Sequence, residues 1–358
     1  MKTIIKWPGG KSKEIKNIES MIPAYDRYIE PFFGGGAVYF SLEPPKAVVN
    51  DISTLLMSFY QLIKEQNADL KTYLSLYHTT FQSLLNSADR NYDKILEYYE
   101  TDKDVTELVR HVVGQSIIDK RLMPDGDAYT SAIRKMVRDK FLRTRKNHEK
   151  KPFSPEDLKE NLKTGFTSGY YIYFRDIYNK LASRNLVRDK AYEIANFYFI
   201  REYCYGSMFR YNASGEFNIP YGGISYNNKN FDEKINRLFQ DDIAALLENT
   251  ELRTQDFEEF LDNLHLTEND FIFLDPPYDT EFSDYEGRAF TKEDQRRLAE
   301  TLRRTPARFI LIIKNTDFIY RLYERDFRIL TFDKSYTYNV RSRNDREVEH
   351  LIITNIPE

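Results

Sequence analysis

Short apolar runs separated by glycine, proline and polar turns fill the first 60 residues, and this pattern predicts strands alternating with helices. Residues 28–29 read as the end of a strand, 38–42 as a helix, and 47–49 as a second strand ending at Asn50-Asp51. From about 61 to 250 the chain turns polar and charged, with long stretches free of Gly and Pro. Such a stretch is too long for a loop and predicts an inserted, mostly helical domain. A Gly/Asn/Tyr-rich segment at about 206–230 closes it and reads as a hairpin with exposed loops. Apolar runs return at 271–274, 309–313, 328–332 and 351–354, with a helix at about 292–304, and the last two runs can pair as an antiparallel hairpin. The expected architecture is α/β: a Rossmann-like sheet domain made of residues 1–60 and 251–358, interrupted by a helical domain at 61–250.

Composition narrows the setting. At 358 residues the chain can bury a sizeable core. Cys204 is its single cysteine, so no intramolecular disulfide forms, and five scattered histidines offer no zinc spacing; we expect a reducing cytoplasm and no metal. No apolar run approaches membrane-spanning length, and the start Met1-Lys2-Thr3-Ile4-Ile5-Lys6-Trp7 carries no apolar signal segment, so a soluble cytoplasmic protein is expected. With 52 Lys and Arg against 56 Asp and Glu, net charge is −4, and the local distribution of charge matters more than the total. Between Arg134 and Lys151 nine basic residues, Arg143, Arg145 and Lys146 among them, face only Asp139 and Glu149. That stretch can attract phosphates or serve as a solvated helix face. Downstream, Tyr170, Tyr171, Tyr173, Phe174 and Tyr178 offer either stacking surfaces or core packing.

Three motifs carry chemistry. Asp275-Pro276-Pro277-Tyr278 follows the apolar run at 271–274, at the carboxyl end of an expected strand, where open α/β sheets bind ligands. Prolines lack N–H donors, which leaves nearby carbonyls free to accept from an amine; Asp275 adds a charged acceptor and Tyr278 a stacking ring. An ordinary turn out of a strand is the alternative. Glu30-Pro31-Phe32-Phe33-Gly34-Gly35-Gly36 lies between an expected strand and helix, where a glycine loop lets the backbone approach a ligand. Asp51 ends the next strand, where a carboxylate can accept from ribose hydroxyls. Gly9-Gly10-Lys11-Ser12 lacks the first glycine of a phosphate-binding Walker loop. Trp7 and Lys11 instead bracket a tight turn with an aromatic face and a cation, or simply anchor the N-terminus.

Together these residues resemble the Dam-type (D12 class) DNA adenine-N6 methyltransferases. Lys6-Trp7-Pro8-Gly9-Gly10-Lys11 is similar to the family's N-terminal cofactor motif, the Glu30 to Gly36 loop to its glycine motif, Asn50-Asp51 to its ribose-binding acid, and Asp275 to Tyr278 to its catalytic tetrapeptide. Residues 210–222, beginning Arg210-Tyr211-Asn212 and including Asn218, resemble its DNA-reading hairpin, and residues 347–355 its C-terminal strand. The resemblance implies transfer of a methyl group from S-adenosylmethionine to N6 of an adenine flipped out of double-stranded DNA. It implies that Trp7, Lys11, Glu30, Phe32, Gly34, Gly36, Asp51 and Asp275 form the cofactor site, with Asp256-Phe257 holding the cofactor's adenine. Asp275, Pro276, Pro277 and Tyr278 would be catalytic, and Arg210, Tyr211, Asn212, Asn218, Arg143, Arg145 and Lys146 would contact DNA. A cognate restriction endonuclease acting on the same site fits this reading. N4-cytosine methylation uses the same pocket logic, and a DNA-binding relative without catalysis is the rival of another class. Ala213-Ser214 departs from the larger residues of the Dam hairpin and leaves the target sequence open.

Overall fold

The computed structural model describes residues 1–8, 15–277, 290–335 and 347–357. Two compact units divide the chain: Met1–Lys64 with Asp241–Glu358, and Glu65–Gln240. The first unit is built on seven strands, β1 (Arg27–Glu30), β2 (Ala47–Asn50), β3 (Thr250–Arg253), β4 (Asp270–Leu274), β5 (Arg308–Lys314), β6 (Arg328–Ser335) and β7 (Glu347–Thr354), in the order β3-β2-β1-β4-β5-β7-β6. The first five run parallel, and β7 enters antiparallel between β5 and β6. β2 and β4 are buried along their whole length, which explains why they read as unbroken apolar runs: helices cover both faces of a parallel sheet.

β3 lies outside the strands expected from the sequence. It lies at the sheet edge with Glu251 and Arg253 exposed and Leu252 its single apolar residue, so no apolar run marks it. With the preceding helix Asp241–Glu248, which packs on the helix Thr54–Lys64, it belongs to the sheet unit. Order reverses around β1, whose neighbours are β2 on one side and β4 on the other, and the carboxyl ends of β1 to β4 share one edge. At the opposite edge Arg27 donates twice to Asp270, at 2.8 and 2.9 Å, and so ties β1 to β4.

The second unit is helical, and polar caps start its main elements. Asn67, Asp125, Ser154 and Asp189 each accept from a backbone N–H in the first turn of the helices Ala68–Arg90, Gly126–Lys150, Pro155–Ala182 and Lys190–Tyr203. Its core is aromatic: Tyr77, Phe81, Tyr170, Phe174, Phe199 and Tyr203 pack ring on ring. The tyrosines at 170, 171, 173 and 178, together with Phe174, are buried, so they pack the core and present no stacking surface. The segment after Tyr203 is an irregular hairpin held by two isolated bridges, Cys204 with Tyr221 and Tyr211 with Phe217. No helix among the described residues is long and apolar enough to cross a membrane.

Candidate active site

A cavity of about 320 Å³ opens at the carboxyl edge of the sheet, where the loops after β1, β2, β3 and β4 converge. Each loop is pinned by the residue that ends a strand. Asn50, buried at the end of β2, donates through Nδ2 to the carbonyls of Pro31 (3.1 Å) and Gln255 (3.0 Å) and accepts from Gln255 N–H at 2.8 Å. One side chain therefore ties the loops after β1 and β3 to the end of β2. Asp51 follows, and its two oxygens accept from the backbone N–H groups of Gly34 (2.8 Å) and Ser53 (2.9 Å).

The glycines are required by shape. Gly34 and Gly36 hold left-handed backbone at φ 50° and 63°, and a Cβ on Gly34 would lie 2.8 Å from the Trp7 ring. Trp7 thus packs against the loop, and the Tyr60 hydroxyl donates to the Gly34 carbonyl at 3.1 Å.

Electrostatically the cavity is acidic. Glu30, 2% exposed at the end of β1, accepts from the Tyr28 hydroxyl at 2.8 Å. Burial pushes its pKa well above the ordinary carboxyl range, the nearby charges of Asp275 and Asp51 push the same way, and the Tyr28 bond opposes them. Three carboxyl groups therefore share one space. At the other end Phe32, Phe257 and Phe290 meet with ring centroids 5.4 to 5.6 Å apart and form an apolar slot. Such a cavity suits a ligand with a cationic part and a flat heterocyclic part.

The Asp275-Pro276-Pro277 turn is also held from below. Gln295, fully buried in the helix Lys292–Arg304, donates through Nε2 to the Pro277 carbonyl at 3.3 Å. Thr291 and Asp294 start that helix with a reciprocal capping box.

Of the residues singled out in the sequence, Trp7, Glu30, Phe32, Gly34, Gly36, Asp51, Asp256, Phe257, Asp275, Pro276 and Pro277 all line this cavity. Lys11 and Tyr278 lie outside the described residues. Sequence reasoning passed over Ile52, Phe290 and Arg297, which line it as well. Ile52 could have been found, since it is an apolar residue directly after the acid that ends β2, and it stays 46% exposed. Arg297 is one of several charges in a solvated-looking helix and gives no such signal.

The expected DNA contacts divide by what their side chains already do. Arg210 and Asn218 are exposed. Asn212 is occupied by its own turn: Oδ1 accepts from the N–H groups of Ser214 (3.0 Å) and Glu216 (2.9 Å), and Nδ2 donates to Glu216 at 3.1 Å. Tyr211 is half-buried, its hydroxyl 2.9 Å from that of Tyr178. In the helix Gly126–Lys150, Arg143 and Lys146 are exposed, whereas Arg145 donates to the Tyr99 carbonyl and to Asp102 and lies over the Tyr99 ring. Arg145 is committed to holding a neighbouring helix end. Cys204 is buried, and burial pushes its thiol up to about 11, so it offers no thiolate for cytosine C5 chemistry.

A glycine loop, an acid after the second strand and an Asp-Pro-Pro turn thus share one cavity at one edge of the sheet, the arrangement implied by the resemblance to amino-methyltransferases. The D12 class N6 adenine-specific DNA methyltransferase model matches residues 7–116 and 140–338, and the chain belongs to that family. It is 25% identical over 366 residues to the type II methyltransferase M.CviBI of Paramecium bursaria Chlorella virus NC1A, covering 99% of this chain and 100% of that protein. It is 27% identical over 343 residues to the type II methyltransferase M.MjaIII of Methanocaldococcus jannaschii, covering 90% and 88%. Similarity to the retron Ec67 DNA adenine methylase of Escherichia coli reaches 24% identity over 318 residues, covering 88% and 78%. The chain is an adenine-specific DNA methyltransferase and acts on DNA with a methyl donor.

Proposed function

We propose that the donor is S-adenosylmethionine, held in the cavity at the carboxyl edge of the sheet, and that Asp275 with the Pro276 carbonyl receives the target adenine's amino group. The observation that carries this reading is the convergence of Glu30, Asp51 and Asp275 with the aromatic slot of Phe32, Phe257 and Phe290 in one cavity. The residues fit the donor's parts. The Asp51 and Asp275 carboxylates complement a sulfonium and an ammonium, Glu30 adds a buried acceptor beside them, Asp51 can accept from ribose hydroxyls, and the slot with Ile52 can enclose a purine. When bound, the donor supplies an electrophilic methyl group.

The protein's own task is to make a poor nucleophile attack. The exocyclic nitrogen of adenine shares its lone pair with the ring, so it must be drawn out of conjugation. Asp275 and the Pro276 carbonyl each accept one amino hydrogen, which raises electron density on nitrogen and orients the remaining lone pair. As the new N–C bond formed and the donor's methyl C–S bond broke to leave a neutral thioether, nitrogen would become positive and give up one proton, for which Asp275 is the adjacent base. Gln295 fixes the next carbonyl of the turn and so limits how the acceptors can rotate. Tyr278 stacks on the base in this reading, and the base reaches the site by flipping out of the duplex. Arg210 and Asn218 are proposed DNA contacts, with Arg143 and Lys146 on flanking phosphates. Because two of the relatives named above are type II methyltransferases, we further propose a cognate restriction endonuclease that cuts the same site when it is unmodified.

Transfer of labelled methyl from S-adenosylmethionine to a mixed-sequence duplex, followed by nucleoside analysis, tests the reading. N6-methyladenine is expected. Asp275→Ala should lower transfer by about 1,000-fold or more while the variant keeps most of its DNA affinity. N4-methylcytosine as the product would overturn the base assignment, and joint loss of DNA binding and folding in Asp275→Ala would overturn the role of Asp275.

A further inference from the structure

Arg297 is the cavity-lining residue that the reading above leaves without a task. Its guanidinium reaches three carboxylates: Nε donates to Glu258 at 2.8 Å, Nη1 to Asp294 at 2.9 Å and Nη2 to Asp256 at 2.5 Å. It also lies 4.9 Å from the centroid of the Phe257 ring. Burial opposes the charge, yet the bonds to Glu258, Asp256 and Asp294 together hold its pKa above the ordinary guanidinium value. These groups are 24 to 37% exposed, so each ion pair adds little stability by itself. What a planar fork gripping three acids does supply is direction.

Asp256 is the acid whose direction is set. It caps the helix Phe257–Asp262, and its Oδ1 accepts both from the Glu258 N–H at 3.1 Å and from Arg297. Both bonds fall on the same oxygen. Oδ2 has no hydrogen-bond partner among the described residues, and its residue lines the cavity beside the Phe257 ring. A carboxylate oxygen at the rim of an aromatic slot accepts from an amino group and repels a carbonyl oxygen.

We propose that Arg297 is a positioning residue for the nucleobase half of the donor, an inference that rests on the reading of the cavity given above: by holding Oδ1 of Asp256, it presents Oδ2 as the acceptor that selects a 6-amino purine over a 6-oxo purine. Arg297 touches neither the reacting methyl nor the target base. Its effect is on donor binding and on discrimination between two purines.

The test measures dissociation constants for S-adenosylhomocysteine and its deaminated counterpart S-inosylhomocysteine, using the full chain and two variants. The wild-type chain should prefer the amino compound by about 30-fold, the range of one charge-assisted hydrogen bond. In Arg297→Met, affinity for the amino compound should fall about tenfold while affinity for the oxo compound stays the same, so discrimination collapses. Arg297→Lys keeps the charge without the fork and should restore part of the preference; it carries the test should the Met variant unfold. Equal weakening of both compounds, or an unchanged preference in the Lys variant, would overturn the inference, because a merely structural residue affects both alike. A wild-type chain that binds neither compound would instead overturn the cofactor reading, and this inference with it.

Discussion

Glu30 shows how one side chain can serve a site and cost stability. In the folded chain burial raises its pKa well above 4.5, so the native state holds a proton that the unfolded chain releases. Once pH passes 4.5, the unfolded chain binds fewer protons than the folded one, and stability falls as pH rises until it reaches the raised folded value. Glu30→Gln keeps the shape and an acceptor for Tyr28 but removes the titration. The variant should therefore gain in melting temperature over wild type as pH goes from 5 to 8, while binding S-adenosylmethionine more weakly; both are measured by thermal unfolding with and without ligand. A constant difference across that pH range would mean that Glu30 stays ionised in the fold. Much of this residue-scale picture was legible. Glu30, Asp51 and Asp275 are acids directly at or after apolar runs, and parallel strands put such positions on one edge. Gln295 and Arg297 were not, because a helix with charges on one face looks the same whether those charges meet solvent or a site. The bonds that Asn212 and Arg145 already make were not legible for a related reason: a sequence gives a side chain's hydrogen-bonding capacity and not what already uses it.

At the scale of elements, the helices Gly126–Lys150 and Pro155–Ala182 form the most extensive helix pair of the second unit. They approach through Gly165 and Gly169, where an added Cβ would lie 3.0 Å from the Val137 Cα and 2.4 Å from the Ile133 Cα. Backbone cannot yield as a flexible side chain would. Glycine to alanine within a helix ordinarily adds about 1 kcal/mol of stability, but Gly169→Ala is expected to cost about 3 kcal/mol through overpacking. Urea unfolding of the variant checks the sign, and a gain in stability would mean that the two helices are farther apart. Helix existence here was readable from the long Gly- and Pro-poor stretch. β3 was not, since an exposed edge strand carries no apolar run and its pairing with β2 is set by tertiary contacts.

For the whole molecule, a net charge of −4 coexists with a cationic helix face, so DNA binding depends on where charge lies. Arg143 and Lys146 are exposed on that face. Replacing both with Ala should reduce the slope of log affinity against log salt by about 1 to 2, as expected for two phosphate contacts. Arg145→Ala should instead lower stability and leave the slope nearly unchanged, because its donors hold Tyr99 and Asp102. An unchanged slope in the double variant would leave the basic face a role in solubility alone.

The strand order also governs how the protein is made. β1 and β2 leave the ribosome first, yet the second neighbour of β1 is β4, which starts only at Asp270. Synthesis at about 5–20 residues per second separates these partners by roughly 12 to 50 seconds. During that interval all of Glu65–Gln240 becomes available to fold, while β1 and β2 wait with an open edge. Newborn chains of this enzyme therefore pass through a stage at which all of Glu65–Gln240 has been made and the sheet unit is still incomplete, and that is the stage at which a chaperone or a neighbouring nascent chain can capture them.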